Sequence, residues 1–263
     1  MKNNSPLRYP GGKAAITPLV EKFVNKQYIS AYAEPFSGGA GVALNLLTDK
    51  KVPKIILNDK DPAVYSIWKN IIFDTDKFID AIDKIPVTMS EYEKQKAFFK
   101  TCSSPSFDFG LAAFFLNRTN VSGVLTGGPI GGVAQAGKYK IDCRFNKDKL
   151  KSKIKAIGDL RDKIELYNED FEDFIKNHTN PDVFVYIDPP YIDKGRILYK
   201  EKMNETAHTK LRDIIDAAVF PWLISYDDCD VIRTLYSKYT IEPVYLNYSA
   251  ANKGKSKEII IHE

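Results

Sequence analysis

Asp188-Pro189-Pro190-Tyr191 follows directly on the apolar run Val183-Phe184-Val185-Tyr186-Ile187, which reads as a buried strand. An acidic residue leaving a strand, two prolines that fix the backbone and an aromatic ring beyond them can place a carboxylate, a carbonyl and a π-face around one small planar group. An exocyclic amine on a nucleobase fits such a clamp. Asp-Pro-Pro also begins ordinary strand-to-loop turns, because proline cannot donate to a ladder, so the clamp needs support from elsewhere in the chain.

That support lies at the ends of other candidate strands. Glu34-Pro35-Phe36-Ser37-Gly38-Gly39-Ala40-Gly41 joins a strand to a helix, and glycines at such a turn let backbone pass close to a ligand. The spacing is not GxGxxG and no Lys-Ser/Thr pair follows, so neither a dinucleotide nor a nucleoside triphosphate is indicated. Asn58-Asp59 ends the next strand, where an acid can take both hydroxyls of a ribose; capping the helix that starts near Pro62 is the competing role, although Asp61 can fill it. Asn168-Glu169-Asp170-Phe171 puts a carboxylate and an aromatic at a third strand end, suited either to an adenine ring or to a helix cap. Near the N-terminus, Leu7-Arg8-Tyr9-Pro10-Gly11-Gly12-Lys13 offers glycines, a cation and an aromatic, with Lys13 expected to pair a carboxylate or phosphate; a disordered leader is the alternative.

The elements that must position these groups alternate. Strands are expected at Ala31 to Ala33, Lys54 to Leu57, Ile164 to Tyr167, Val183 to Ile187, Trp222 to Ser225, Ile241 to Leu246 and Glu258 to His262. Helices are expected at Gly41 to Leu47, Pro62 to Ile72, Phe171 to Ile175, Thr206 to Ala218 and Asp228 to Tyr236. This is the pattern of an α/β, doubly wound, seven-stranded sheet covered on both faces, with its last two strands as an antiparallel hairpin. In such a sheet ligands bind at strand carboxyl ends where the order reverses. If the first strand and the Val183 strand are neighbours, the Gly-rich turn and the Asp188 turn meet there. Residues 74–157 break the alternation, being mostly helical with a glycine-rich stretch at 120–144. The expected division is a core of 1–73 and 158–263 with a helical insertion at 74–157.

Composition sets bounds. The 263 residues are 44% hydrophobic, enough for a sizeable core. No apolar run of spanning length or secretory h-region occurs, so a soluble cytoplasmic protein with no membrane partner is expected. Cys102, Cys143 and Cys229 are scattered, as are the three histidines, which indicates neither disulfides nor a metal site. Residues 90–155 hold 12 Lys and Arg against 5 Asp and Glu, a surplus of +7 in a chain whose net charge is +4. A basic region of that kind suits a phosphate backbone, or is a solvated helix face.

Taken together the motifs resemble those of the Dam-like (class alpha) DNA adenine-N6 methyltransferases, in matching order over nearly the whole chain. The resemblance implies a Rossmann-like methyltransferase sheet, S-adenosyl-L-methionine as cofactor, and transfer of its methyl to the 6-amino group of an adenine flipped out of double-stranded DNA. It assigns Asp188, Pro189, Pro190 and Tyr191 to catalysis. It assigns Tyr9, Gly11, Gly12 and Lys13 to the cofactor's N-terminal motif, Glu34, Pro35, Phe36, Ser37, Gly38, Gly39 and Gly41 to its methionine loop, and Asp59 to its ribose; Asp170 and Phe171, read from their own strand end, are expected cofactor contacts beside them. The insertion becomes a target-recognition domain, with Arg118, Asn120 and Gln135 as expected DNA contacts, joined by Lys138, Tyr139, Lys140 and Arg144.

Val121-Ser122-Gly123-Val124-Leu125-Thr126 lacks the Asn-Gly and downstream Arg expected of a GATC reader, which leaves the recognition sequence open. Trp222 to Asp228 and Tyr248 to Lys253 are expected at the walls of the base pocket. A cognate restriction endonuclease is a partner the resemblance allows; oligomeric state is not legible. Alternatives are cytosine-N4 or RNA amino methylation, and a catalytically silent, cofactor-gated DNA-binding module.

Overall fold

The computed structural model describes residues 3–9, 11–191, 203–247 and 255–263. Its sheet has seven strands: β1 (Ala31–Glu34), β2 (Ile55–Asn58), β3 (Ile164–Tyr167), β4 (Val183–Ile187), β5 (Trp222–Asp227), β6 (Thr240–Asn247) and β7 (Lys255–His262). Their order is β3-β2-β1-β4-β5-β7-β6. The first five run parallel, and β7 inserts antiparallel between β5 and β6. The order reverses between β1 and β4, which pair with Tyr32 opposite Phe184 and Ala33 opposite Val185. The two turns that carry the candidate chemistry therefore leave adjacent strands in the same direction. Pairing with β7 carries β5 two residues beyond its expected end, to Asp227 opposite Glu258.

Each central strand is apolar on both faces, as a sheet covered on both sides requires. From β4, Phe184 and Tyr186 join one core with α1 (Thr17–Val24), α2 (Gly41–Thr48) and α3 (Pro62–Ile72), while Val183, Val185 and Ile187 join the other. That second core is closed by α8 (Phe171–His178), α9 (Glu205–Asp216) and α10 (Asp230–Leu235).

Between β2 and β3 lie α4 (Thr75–Lys84), α5 (Met89–Thr101), α6 (Phe107–Thr119) and α7 (Lys147–Gly158). Their starts are written locally: the side chains of Thr88, Ser106 and Asn146 each accept a backbone N–H at N3, of Glu91, Phe109 and Lys149. Phe78, Phe109, Phe114, Phe115 and Ile154 from these helices share one core with Trp68 of α3 and Tyr32 of β1. These helices are thus built onto α3. Gly110 makes that contact close: a Cβ there would lie 2.5 Å from the Ser66 carbonyl oxygen on α3. Among the described residues, no helix is long and apolar enough to cross a membrane.

Candidate active site

The carboxyl ends of β1, β2 and β4 meet the N-terminal segment in one crevice. Gly12 N–H donates to the Tyr9 carbonyl at 3.0 Å, and Gly11 holds φ +74°, a conformation glycine adopts without strain. The chain then enters a 3-10 helix at Lys13–Ile16 that buries Lys13. Tyr9 lies over the Gly-rich turn, where a Cβ at Gly38 would be 2.6 Å from its ring and one at Gly39 2.8 Å from its own Cβ. These glycines make room for the protein's own tyrosine, and a Cβ at Gly41 would sit 3.0 Å from that of Ala14. Trp68 Nε1 holds the turn from below by donating to the Gly38 carbonyl at 2.8 Å.

Asp188 stands where β4 ends. Its Oδ1 accepts from Ser225 Oγ at 2.8 Å and from Tyr191 OH at 3.3 Å, and lies 3.3 Å from Lys13 Nζ. Oδ2 receives no donor among the described residues. Burial pushes the Asp188 carboxyl above the ordinary range; Lys13 pulls it down and the charge of Glu258 pushes it further up. Ser225 is itself fixed by Tyr186 OH at 2.8 Å. The Lys13 ammonium also sits 4.8 Å from the centre of the Tyr191 ring, and that ring packs 6.3 Å from Tyr226, whose hydroxyl meets His208 Nδ1 at 2.7 Å. Pro189 is buried beside the carboxylate.

Glu34 is 4% exposed. Its Oε1 accepts from Tyr32 OH at 2.9 Å and from the Ala43 N–H at 3.0 Å, the latter in the first turn of α2, where a carboxylate is favoured. Burial outweighs both bonds and raises its pKa to about 8. Asp59 accepts from Gly38 N–H on Oδ2 at 2.9 Å and from Asp61 N–H on Oδ1 at 3.0 Å; burial and then the neighbouring Asp61 raise it to about 7. Asp61 caps α3 through Ala63 N–H, so Asp59 is not the cap. Asn58, fully buried, ties the strand ends together: Nδ2 donates to the carbonyls of Pro35 and Glu169, and Oδ1 accepts from Glu169 N–H. The half-buried Phe36 packs its ring 5.4 Å from Phe171. Asp170 caps α8 through Glu172 N–H and pairs with Lys60 at 3.0 Å, so capping, one of its two expected roles, is the one its contacts fill.

On the insertion the expected DNA contacts divide. Asn120 is wholly buried, taking Tyr92 OH at 2.8 Å and donating to the carbonyls of Val124 and Leu125; it corrects the expectation of a DNA contact, since a side chain so enclosed cannot reach a base. Arg118 donates to the carbonyls of Pro6 at 3.2 Å and Arg144 at 2.8 Å. Gln135 bonds Ile130 O, Gly132 O and Ile141 N–H. Both hold the loop rather than face outward. Lys138, Tyr139, Lys140 and Arg144 are exposed. Arg8 and Arg144 crowd Arg118, which burial and these two charges lower to about 10.

The sequence reading missed Glu258, the second carboxylate on Lys13, and Asn117, which grips the Arg8 backbone on both sides through Arg8 N–H at 2.9 Å and Arg8 O at 2.8 Å. Ser225 it had only as a wall residue. No local pattern marks such long-range partners. Pro10 and Tyr248 to Lys253 lie outside the described residues.

Residues 9–249 match the family described as D12 class N6 adenine-specific DNA methyltransferase. The chain belongs to that family. That family is one of adenine-specific DNA methyltransferases, and S-adenosyl-L-methionine is the methyl donor used by methyltransferases of this kind. The match agrees with the resemblance carried by the motifs, and the sheet is the Rossmann-like one expected of a D12 enzyme.

Among solved structures, an uncharacterized protein from Listeria monocytogenes serotype 4b is similar at 7% identity and a TM-score of 0.37, covering 92% of this chain and 66% of that one. SMU.472, solved in complex with SAH, is similar at 12% identity and a TM-score of 0.27, covering 70% of this chain and 55% of that one. This chain thus spans less than two thirds of either. Among curated proteins no significant match to the chain is found.

Proposed function

We propose that this D12 enzyme methylates N6 of an adenine flipped out of double-stranded DNA, with Asp188, Pro189 and Tyr191 gripping the base. The observation that carries the reading is the asymmetry of Asp188: Oδ1 is anchored by Ser225, Tyr191 and Lys13, while Oδ2 has no protein donor among the described residues. An anchored carboxylate with one open oxygen is an acceptor waiting for an N–H.

The adenine amine is a weak nucleophile because its lone pair is delocalised into the ring. Oδ2 of Asp188 and the Pro189 carbonyl accept its two N–H bonds, which favours a pyramidal nitrogen and frees the lone pair. When bound, S-adenosyl-L-methionine supplies a sulfonium methyl whose bonding pair leaves with sulfur. As the N–C bond forms, positive charge grows on N6 and the Asp188 carboxylate stabilises it. The surplus N6 proton then passes through that carboxylate, whose raised affinity for protons suits it to receive one. Tyr191 stacks on the base.

The groups lining the crevice fit the cofactor. Among the described residues Ser37 Oγ is buried with no hydrogen-bond partner, an orphaned polar atom on the turn assigned to the methionine end. Asp59 keeps lone pairs for the ribose, and Phe36 with Phe171 forms an aromatic wall for adenine. Tyr9, Gly11, Gly12 and Lys13 close the other side. Residues 74–157 serve as the target-recognition segment in this reading, with Lys138, Tyr139, Lys140 and Arg144 on DNA.

The test is transfer of labelled methyl from S-adenosyl-L-methionine to a mixed-sequence duplex, followed by nucleoside analysis. The expected product is 6-methyladenine, lost in D188A while DNA binding persists. 4-Methylcytosine would overturn the base assignment, and absence of transfer by cofactor-binding protein would point to the silent module.

A further inference from the structure

Lys13 is 5% exposed, and its ammonium serves more than one carboxylate. Nζ stands 3.3 Å from Asp188 Oδ1, 3.3 Å from Glu258 Oε2 and 3.4 Å from Glu258 Oε1, with the Gly11 carbonyl at 3.0 Å. Glu258 lies on β7, across from Asp227 on β5, and is 2% exposed. A sheet interior tolerates an acid here only with a cation beside it.

We propose that Glu258 is a positioning residue for methyl transfer, sharing the Lys13 ammonium with Asp188 so that the catalytic carboxylate is anchored by one oxygen without being neutralised. This rests on the reading of Asp188 as the group that grips the adenine amine.

Geometry supports it. A lone ammonium–carboxylate pair closes to roughly 2.7–2.9 Å, whereas the Lys13–Asp188 contact stands open at 3.3 Å. Both oxygens of Glu258 draw the ammonium the other way. Shared between the two carboxylates, the ammonium is not held by Asp188 alone, and the charge that stays on Asp188 is what a nitrogen turning cationic needs beside it.

Asp188 is faced by Lys13 from the N-terminal turn, Tyr32 and Glu34 from β1, Tyr186 from β4, Tyr191 from its own turn, Tyr226 from β5 and Glu258 from β7. Lys13 and Glu258 act in opposite directions on its ionisation, Lys13 favouring the carboxylate and Glu258 opposing it.

E258Q keeps the side chain's shape and removes its charge; E258D keeps the charge and shortens the reach. Two readouts are taken on the full chain: the carboxyl-carbon titration of Asp188 in cofactor-free protein, assigned by its loss in D188N, and single-turnover methyl transfer from about pH 5 to about pH 9. In E258Q the titration and the acid limb are expected at lower pH, so that the rate relative to its own plateau rises about threefold to tenfold on that limb. The plateau itself falls as the ammonium closes on Asp188. E258D is expected to titrate like wild type with a lowered plateau.

An Asp188 titration in E258Q that stays in place or moves to higher pH overturns the proposal. If E258Q does not fold, E258D decides: a plateau equal to wild type overturns it. Wild-type protein that binds cofactor and DNA yet makes no 6-methyladenine overturns the functional reading instead, and the carboxyl titration still reports on Glu258.

Discussion

S225A isolates a single bond to Asp188, the carboxylate proposed to grip the adenine amine. Ser225 is 1% exposed and bridges Tyr186 OH and Asp188 Oδ1, each at 2.8 Å. A hydrogen bond to a charged acceptor contributes about 1.5–3 kcal/mol, and about 1.4 kcal/mol is tenfold in an ionisation equilibrium. Tyr186, released from Ser225, can swing its hydroxyl toward Asp188 and offset part of the loss, so the lower end applies. Ser225 favours the ionised form; its removal moves protonation of Asp188 to higher pH. Single-turnover methyl transfer, measured against pH, is then expected to fall about tenfold relative to wild type on the acid limb. At pH well above both ionisations the carboxylate is fully formed in either protein, and the rates should converge to within a few-fold. A rate ratio that is the same at every pH would refute the reasoning, because it would mean that Ser225 only shapes the pocket. Stability also falls, by about 1–3 kcal/mol if Tyr186 is left without a partner, so the assay belongs well below the melting temperature.

G110A should lower the urea midpoint by the equivalent of about 1–3 kcal/mol, since its Cβ would press on the Ser66 carbonyl at 2.5 Å and backbone cannot give way; an unchanged midpoint would mean that α3 and α6 can part without cost. Glu34, raised from 4.5 to about 8, contributes stability that is fully present below pH 4.5 and lost as pH rises through about 8. E34Q has no charge to bury, so chemical denaturation should show it losing less stability than wild type across that window, and parallel profiles would count against a buried neutral acid. K138Q/K140Q/R144Q should weaken duplex binding and flatten the plot of log affinity against log salt by about 0.9 for each phosphate that is no longer neutralised; an unchanged slope would take these residues off the DNA.

The strands were legible because β1, β2 and β4 are short apolar runs ended by Glu34, Asn58-Asp59 and Asp188-Pro189, whereas the neighbourhood of β1 and β4 entered only as a condition. Expected strand cores and observed strands differ mainly at β5, which β7 extends, and at β6 and β7, which extend each other along their hairpin. The position of the Asp188 turn and of the Gly-rich loop was legible for the same reason, as special residues at strand ends. Tyr9 on Gly38 and Gly39 was not, because a glycine announces a close approach without naming what approaches. Glu258 was hidden within a strand that sequence shows only as a strand. Asn120 misled in the opposite sense: a polar residue beside a glycine-rich loop looks outward in sequence, but here it is buried and holds the Val124 and Leu125 carbonyls. Burial of a polar side chain depends on which backbone groups lack partners, and that is decided by the fold.

The glycine-rich loop of the insertion carries its own fastenings. Asn120 holds the Val124 and Leu125 carbonyls, Gln135 spans Ile130, Gly132 and Ile141, and Gly137 N–H closes on the Gly131 carbonyl at 3.2 Å. A loop already tied in this way does not have to fold when a duplex arrives. Coupled folding would cost roughly 2–5 kcal/mol of the gross interaction and leave a large negative heat-capacity change. If this loop meets DNA as proposed, its basic surface adds affinity without an ordering cost, and calorimetry of duplex binding should show a heat-capacity change no larger than the buried interface accounts for.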